Sequence, residues 1–339
     1  MYQRIVLTII IMLTAGSAFC QSPQFSQYYA SPLLIAPSFA GNSLGSRTFV
    51  SYRDQWAKLP GSYLTYSVAL DNNFYAINSG FGLVVMRDVI GTARLGTTSA
   101  TGLYSYRFNL NDDWRIRPGI SFSYAQRALQ NSKAIYPDQV WITGIDPVTI
   151  EQPVDPYYWF NASSSVVVYN RRMWLGFCAE NLLRPTHSFL RMNARSPIIW
   201  SQFGGVNFPL ANSVGKIPEI ITLNYLFKTT LNSYQMDIGA NWYRAPLLLG
   251  FAWRGLPAFT DKYNSYDALI FTIGIAFDNM AFGYSYDFTV SKMGPATGGS
   301  HEITFSFSFN EGNKSQKQGA IPCPDVVKFK MFGDKESFR

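Results

Sequence analysis

Histidine and cysteine are nearly missing from this chain of 339 residues, which holds two His and three Cys. His187 and His301 alone cannot supply a zinc site, which needs several nitrogen or sulfur ligands. Cys20, Cys178 and Cys323 are too few and too far apart for a disulfide framework. The last two read as unpaired thiols, with a bridge between them as the alternative. Charge is also sparse, at 14% of residues, and the net +7 is spread without a Lys/Arg block. That gives no case for nucleic acid and at most a loose attraction to anionic lipid headgroups. After the first residues no apolar run approaches the ~20 residues of a membrane-spanning helix. Phosphate-cradling glycine loops, Cys-pair metal motifs and nucleophile elbows are all absent, so no cofactor or metal is expected. The stretch "GGSHE" (Gly298 to Glu302) joins a Ser, a His and a carboxylate. Neighbours alternate across a strand, however, so Ser300 and Glu302 share a face and His301 points the other way. No enzyme is expected.

Aromatic residues are abundant, at 16%, with 21 Tyr and 26 Phe. The N-terminus carries an export signal: Arg4 before an apolar "IVLTIIIML", then small residues in "TAGSAFC". Residues 1–20 read as a signal peptide with Gln21 as the mature start, and cleavage after Ala18 is the alternative. Cys20 also permits a lipoprotein reading, against which Phe19 and Ser17 count.

From about Arg47 onward the dominant signal is a period of two. In "NMAFGYSYDFTVSKMGPATGGSHEITFSFSFN" (Asn279 to Asn310), Met280, Phe282, Tyr284, Tyr286 and Phe288 share one face, as do Ile303, Phe305, Phe307 and Phe309. Similar segments fall at 48–56, 61–71, 79–88, 97–110, 114–126, 158–169, 172–182, 197–209, 219–228, 234–243, 246–255, 267–277, 280–288 and 301–309. These make about fourteen strands of the length that a tilted strand needs to cross a bilayer. The opposite faces are small or polar rather than charged, as a closed lumen requires. The reading is therefore all-β: a transmembrane antiparallel outer-membrane barrel over 48–309, apolar face to lipid. An N-terminal segment, 21–47, precedes it and a periplasmic tail, 310–339, follows. Tight inner turns ("NDD", "NR", "RAP", "DN") alternate with longer outer loops. Two connections fit poorly: "NNFYAINS" is long for an inner turn, and 229–233 is short for an outer one. Trp56, Trp114, Trp141, Tyr158 and Trp174 fall at strand ends, where an interfacial girdle would lie.

Three stretches closely resemble the PorP/SprF family of type IX secretion outer-membrane proteins of Bacteroidota. They are "PQFSQYYASPLLIAPSFAG" (Pro23 to Gly41), "YRDQW" (Tyr52 to Trp56) and "YSYDFTVSKMGPATGGSHEITFSFSF" (Tyr284 to Phe309), and "MDIGANWYRAPLLLGFAWRG" fits between. Ser31 and Ala36 depart from the family pattern, where Asn is frequent before the prolines. Residues 127–200 look particular to this chain. The resemblance implies a part in secretion and surface attachment of adhesins or enzymes that carry a type B C-terminal signal domain. It also implies contact with periplasmic and gliding machinery. A barrel that passes hydrophobic or other small solutes is the alternative.

Two residue sets follow. In the N-terminal segment Gln24, Phe25, Gln27, Tyr28, Tyr29, Pro32, Pro37, Phe39 and Gly41 are candidates for partner binding. The prolines forbid a long helix there, and the segment either enters the lumen as a plug, meets a periplasmic partner, or packs along the periplasmic rim. Arg107, Arg115, Arg117, Asp237, Arg254, Asp287 and Glu302 are assigned to the lumen, because a charge on the lipid face costs roughly 2–4 kcal/mol at mid-membrane depth. Glu302 is expected to pair with an inward arginine. The lumen itself is either filled by such pairs or left as a channel.

Overall fold

The computed structural model describes residues 23–42, 45–92, 94–129, 155–186, 195–210, 219–230, 233–255, 266–277, 279–291 and 294–309. Its strands are β1 (Ser46–Gln55), β2 (Tyr63–Phe74), β3 (Ser79–Ile90), β4 (Leu95–Tyr106), β5 (Phe108–Asn109), β6 (Arg115–Leu129), β7 (Tyr157–Tyr169) and β8 (Met173–Glu180). They continue as β9 (Ile199–Pro209), β10 (Glu219–Thr229), β11 (Tyr234–Arg244), β12 (Leu247–Gly255), β13 (Tyr266–Phe277), β14 (Met280–Thr289) and β15 (Ser300–Phe309). Each pairs antiparallel with its sequence neighbour, β1 pairs with β15, and β4 bypasses β5 to pair with β6. The ring is thus closed by fourteen strands, with β5 a two-residue pairing beside the 110–114 turn.

The alternation that marks these segments in sequence is also their division between two environments. Along β13 Phe271, Ile273, Ile275 and Phe277 face out and are exposed, while Ile270, Thr272 and Ala276 face in and are buried. Along β1 Arg47, Phe49, Ser51 and Arg53 face in. A closed ring leaves no edge strand unpaired, which is the condition for a sheet to sit in lipid. The start of β1, the end of β15 and the tight turns at 170–172 and 245–246 share one end, which the short-turn rule makes the periplasmic one.

The long inner connection expected near "NNFYAINS" is shorter in the structure. β2 continues to Phe74, and a 3-10 turn over Tyr75–Ile77 leads into β3. Asn73, expected in that connection, instead occupies a lumen-facing position of β2 two residues beyond Asp71, and both are buried there. Trp174 also departs from expectation. It shares the inward face of β8 with Gly176 and Cys178, and its indole fills the space above Gly205 rather than joining an interfacial girdle. Trp141, His187, Cys20, Cys323 and the tail 310–339 lie outside the described residues.

Candidate functional site: a lumen filled by the chain's own N-terminal segment

Residues 23–42 run down the inside of the barrel. Two short 3-10 turns, Pro32–Leu34 and Pro37–Phe39, give the segment its shape. A proline opens each, at a position where the missing amide has no helical partner to lose. Ala36, before Pro37, is extended, as a residue preceding proline prefers. Consecutive turn bonds satisfy the backbone internally: Ala30 N to Gln27 O, Leu34 N to Ser31 O, Phe39 N to Ala36 O and Asn42 N to Phe39 O. Irregular backbone at membrane depth is tolerated only when protein surrounds it in this way.

The segment runs from the outer end of the lumen to the inner end. Near the outer end Gln24 Nε2 donates to Asp237 at 3.0 Å. Lower down, Tyr28 OH donates to Asn224 at 2.6 Å on β10. At the inner end the Ser38 amide donates to Ser165 Oγ at 2.8 Å, Ala40 O accepts from Ser105 Oγ at 2.7 Å, and the Gly41 amide donates to Asp71. Between these points Tyr28, Tyr29, Leu33, Ile35 and Phe39 form one buried cluster with Phe49, Val84, Leu103, Val167, Tyr169, Trp174, Phe203 and Leu226 of the wall. The main hydrophobic core of the described residues therefore lies inside the barrel, and seven of its seventeen buried residues come from the leader. Two wall glycines make the approach close enough. A Cβ on Gly80 would sit 2.2 Å from Ala40 O, and one on Gly119 would sit 2.4 Å from the Ser38 nitrogen.

Five charged side chains from five strands converge on Ser26. Register sets Arg53 of β1 opposite Glu302 of β15, and Asp237 of β11 opposite Arg254 of β12. Arg53 reaches Asp287 at 2.7 Å and Glu302 at 3.0 Å, and Arg254 reaches Asp237 and Asp287, both at 3.2 Å. The leader completes the network. Glu302 accepts the Ser26 and Gln27 amides at 2.7 and 2.9 Å. Ser26 Oγ donates to Asp287 at 2.6 Å and accepts from Arg53 at 2.8 Å and Arg254 at 3.1 Å. All five charged groups are buried. Taken out of water, such charges hold only when paired and hydrogen-bonded, so the network ties Ser26 and Gln27 to four strands at once.

The structure thus brings Asp237, Arg254, Asp287 and Glu302 together at the outer end, and Arg107, Arg115 and Arg117 lie at the inner end. Arg117 is buried on β6, Arg115 is half-buried beside it, and Arg107 sits past the end of β4, where it donates to Asn78 at 2.6 Å. Gln24, Phe25, Gln27, Tyr28, Tyr29, Pro32, Pro37, Phe39 and Gly41 all lie against the barrel's own wall. Arg53, Ser26, Gly80 and Gly119 were not among the sequence candidates. For Arg53 the signal was present, since its alternation with Arg47 and Ser51 on an otherwise lipid-facing strand forces it inward. Ser300 is buried inward and His301 stands on the opposite face beside Tyr284, whose hydroxyl is 2.9 Å from its ring nitrogen. The serine and histidine of "GGSHE" do not meet.

A family model described as "Type IX secretion system membrane protein PorP/SprF" matches residues 17–307. The chain belongs to the PorP/SprF family. That makes it an outer-membrane β-barrel of type IX secretion, in a family of secretion-system membrane proteins rather than of enzymes. No curated protein matches it. Among solved structures, this PorP/SprF chain is similar to the Acinetobacter baumannii outer membrane protein Omp33, at 7% identity over 78% of this chain and 96% of that one, with a TM-score of 0.43. It is similar to the CymD monoaromatic hydrocarbon channel at 9% identity over 83% and 93%, TM-score 0.41. A bacterial polysaccharide outer membrane secretin gives 9% identity over 80% and 100%, TM-score 0.40.

Proposed function

We propose that this barrel is a non-conducting scaffold of the type IX system. It supports export of a client bearing a type B C-terminal signal domain and holds that client at the cell surface. The observation that carries this reading is the lumen filled by residues 23–42, with a hydrophobic core along its length and a buried ion network near its outer end. A porin-like or solute-transporting barrel needs a continuous path, and the leader occupies it. The client-facing surface is then the outer rim, where connections 130–156, 181–198 and 256–265 join the strands. The periplasmic and gliding machinery is met by the inner rim and the tail 310–339. The N-terminal residues singled out in sequence serve an intramolecular partner, the wall.

The test is purification of the full chain from outer membranes in detergent. Co-purification of a large secreted protein carrying that signal domain, with no conductance in planar bilayers, supports the scaffold. Conductance or solute uptake without a bound secreted protein replaces it with transport.

A further inference from the structure

The two ends of the lumen balance their arginines differently. At the outer end buried Arg53 and Arg254 lie within 3.2 Å of a carboxylate, and Arg127, also buried there, donates to Thr97 Oγ1 at 3.0 Å with the Asp88 carboxylate near it. At the inner end Arg107, Arg115 and Arg117 stand together, and none of the three forms an ion pair with a carboxylate among the described residues. Arg117 is 1% exposed, yet its partner is neutral: Nη1 donates to Ala40 O at 3.2 Å, and Nε has no partner. Arg107 Nε is likewise buried without a partner, while its Nη2 donates to Asn78 and its guanidinium stands 5.8 Å from the Tyr75 ring centre. Burial, and then Arg117 and Arg115 against an opposing Tyr169, lower the Arg107 guanidinium from its ordinary value. Burial pushes the Tyr75 phenol up to about 12, so it stays neutral and offers no counter-charge. Asp71, buried at this end opposite Arg47 of β1 in register, is the one buried carboxylate there among the described residues, so cations outnumber it. A buried cation with an excess of like-charged neighbours is costly, and a bound anion lowers that cost.

We propose that the inner mouth is a docking site for the carboxylates of an acidic segment of a periplasmic partner protein, received by Arg107 and Arg115 at the rim with Arg117 behind them. Guanidinium forks match carboxylate and phosphate oxygens alike. Bilayer phosphates are disfavoured because Arg115 and Arg117 lie on the lumen face of β6, with the wall between them and lipid. Access is from the periplasm, where Arg107 and Arg115 are half-exposed. The identity of the partner rests on the periplasmic contact proposed above; the anion site does not.

The full chain, purified in detergent, is titrated into a fluorescent oligoglutamate peptide, an oligoglutamine peptide of equal length, and inorganic phosphate as competitor. Oligoglutamate is expected to bind and to weaken as salt rises. Arg107→Gln/Arg115→Gln, which spares buried Arg117, should weaken it at least about tenfold, as loss of hydrogen bonds to charged groups predicts. Arg94→Gln, an exposed change at the outer end, should leave binding as in wild type. Retention of the heat-modifiable folded band shows that each variant is folded. Equal binding by the double variant, or a loss matched by Arg94→Gln, overturns the site. Equal binding of oligoglutamine, or displacement by phosphate at the peptide's own concentration, overturns the acidic-segment assignment. These outcomes are read on the purified barrel and leave the secretion role to its own test.

Discussion

Replacing Arg53 by Met tests whether the outer network is one electrostatic unit. The change removes the donor that bridges Asp287 at 2.7 Å and Glu302 at 3.0 Å. Asp287 keeps Arg254 at 3.2 Å. Glu302 keeps only the Ser26 and Gln27 amides, so a buried carboxylate loses its cation. Breaking a buried pair from one side typically costs about 3–5 kcal/mol. Glu302→Gln alone removes a charge but turns an amide NH2 toward one of those two backbone donors, at a cost of roughly 1–3 kcal/mol. In the Arg53→Met background the same Gln removes the charge left uncompensated. The single losses should therefore exceed the double loss by about 1–3 kcal/mol, within the range seen for residues of one network. Urea unfolding of vesicle-inserted protein, followed by tryptophan fluorescence, supplies the four free energies. Additivity within about 0.5 kcal/mol would refute the argument, because it would mean that Arg53 and Glu302 do not sense each other.

Three further outcomes follow from wall, lipid face and tail. Gly80→Ala places a Cβ 2.2 Å from Ala40 O, whereas Gly102→Ala meets nothing within 4 Å. The first should cost about 1–3 kcal/mol and raise bilayer conductance by unseating the leader, the second should do neither, and equal behaviour would sink the plug. Phe271→Arg on the outward face of β13 should lose roughly 2–4 kcal/mol in vesicle-inserted protein, and an unchanged unfolding curve would place that face away from lipid. Deleting 310–339 should leave the heat-modifiable barrel intact and impair client secretion or attachment, whereas loss of the folded band would extend the barrel's needs beyond Phe309.

The wall was legible because a closed transmembrane sheet writes its environment into every second residue. β14 was expected over 280–288 and runs Met280–Thr289, and β7 was expected over 158–169 and runs Tyr157–Tyr169. The rule failed where the inward face is polar. Asn72 and Asn73 read as a turn because a polar lumen position, such as that of Asn73, and a solvent position look alike in composition. Trp174 failed for the converse reason, since the girdle reading took an aromatic at a strand end to face lipid while β8 turns it inward. The leader's contacts leave no trace in any period. Ser26 meets Glu302 across 276 residues of chain, and only closure of the ring brings those strands together. Gly80 and Gly119 could be seen as small inward residues, but the reason for their size, the backbone of Ala40 and Ser38, belongs to a different part of the chain.

The width of the barrel explains why a segment of backbone, rather than wall side chains alone, fills it. Eight strands enclose an interior that side chains can fill, while sixteen to eighteen leave an aqueous channel. Fourteen fall nearer the second case, and even the large inward residues of this wall, Phe49, Tyr169, Trp174 and Phe203, pack against Leu33, Ile35 and Phe39 of the leader rather than solely against one another. Such a filler must satisfy its own amides, which the two proline-led turns achieve, and must be fixed at both ends. Ser26 and Gln27 fix one end through charge, and Ala40 and Gly41 fix the other through wall glycine, serine and aspartate. Opening the lumen therefore requires both anchors to be broken together. A conducting state would have to expose the outer ion network and the central apolar cluster to water at the same moment, which is the physical reason we propose holding rather than passage for this barrel.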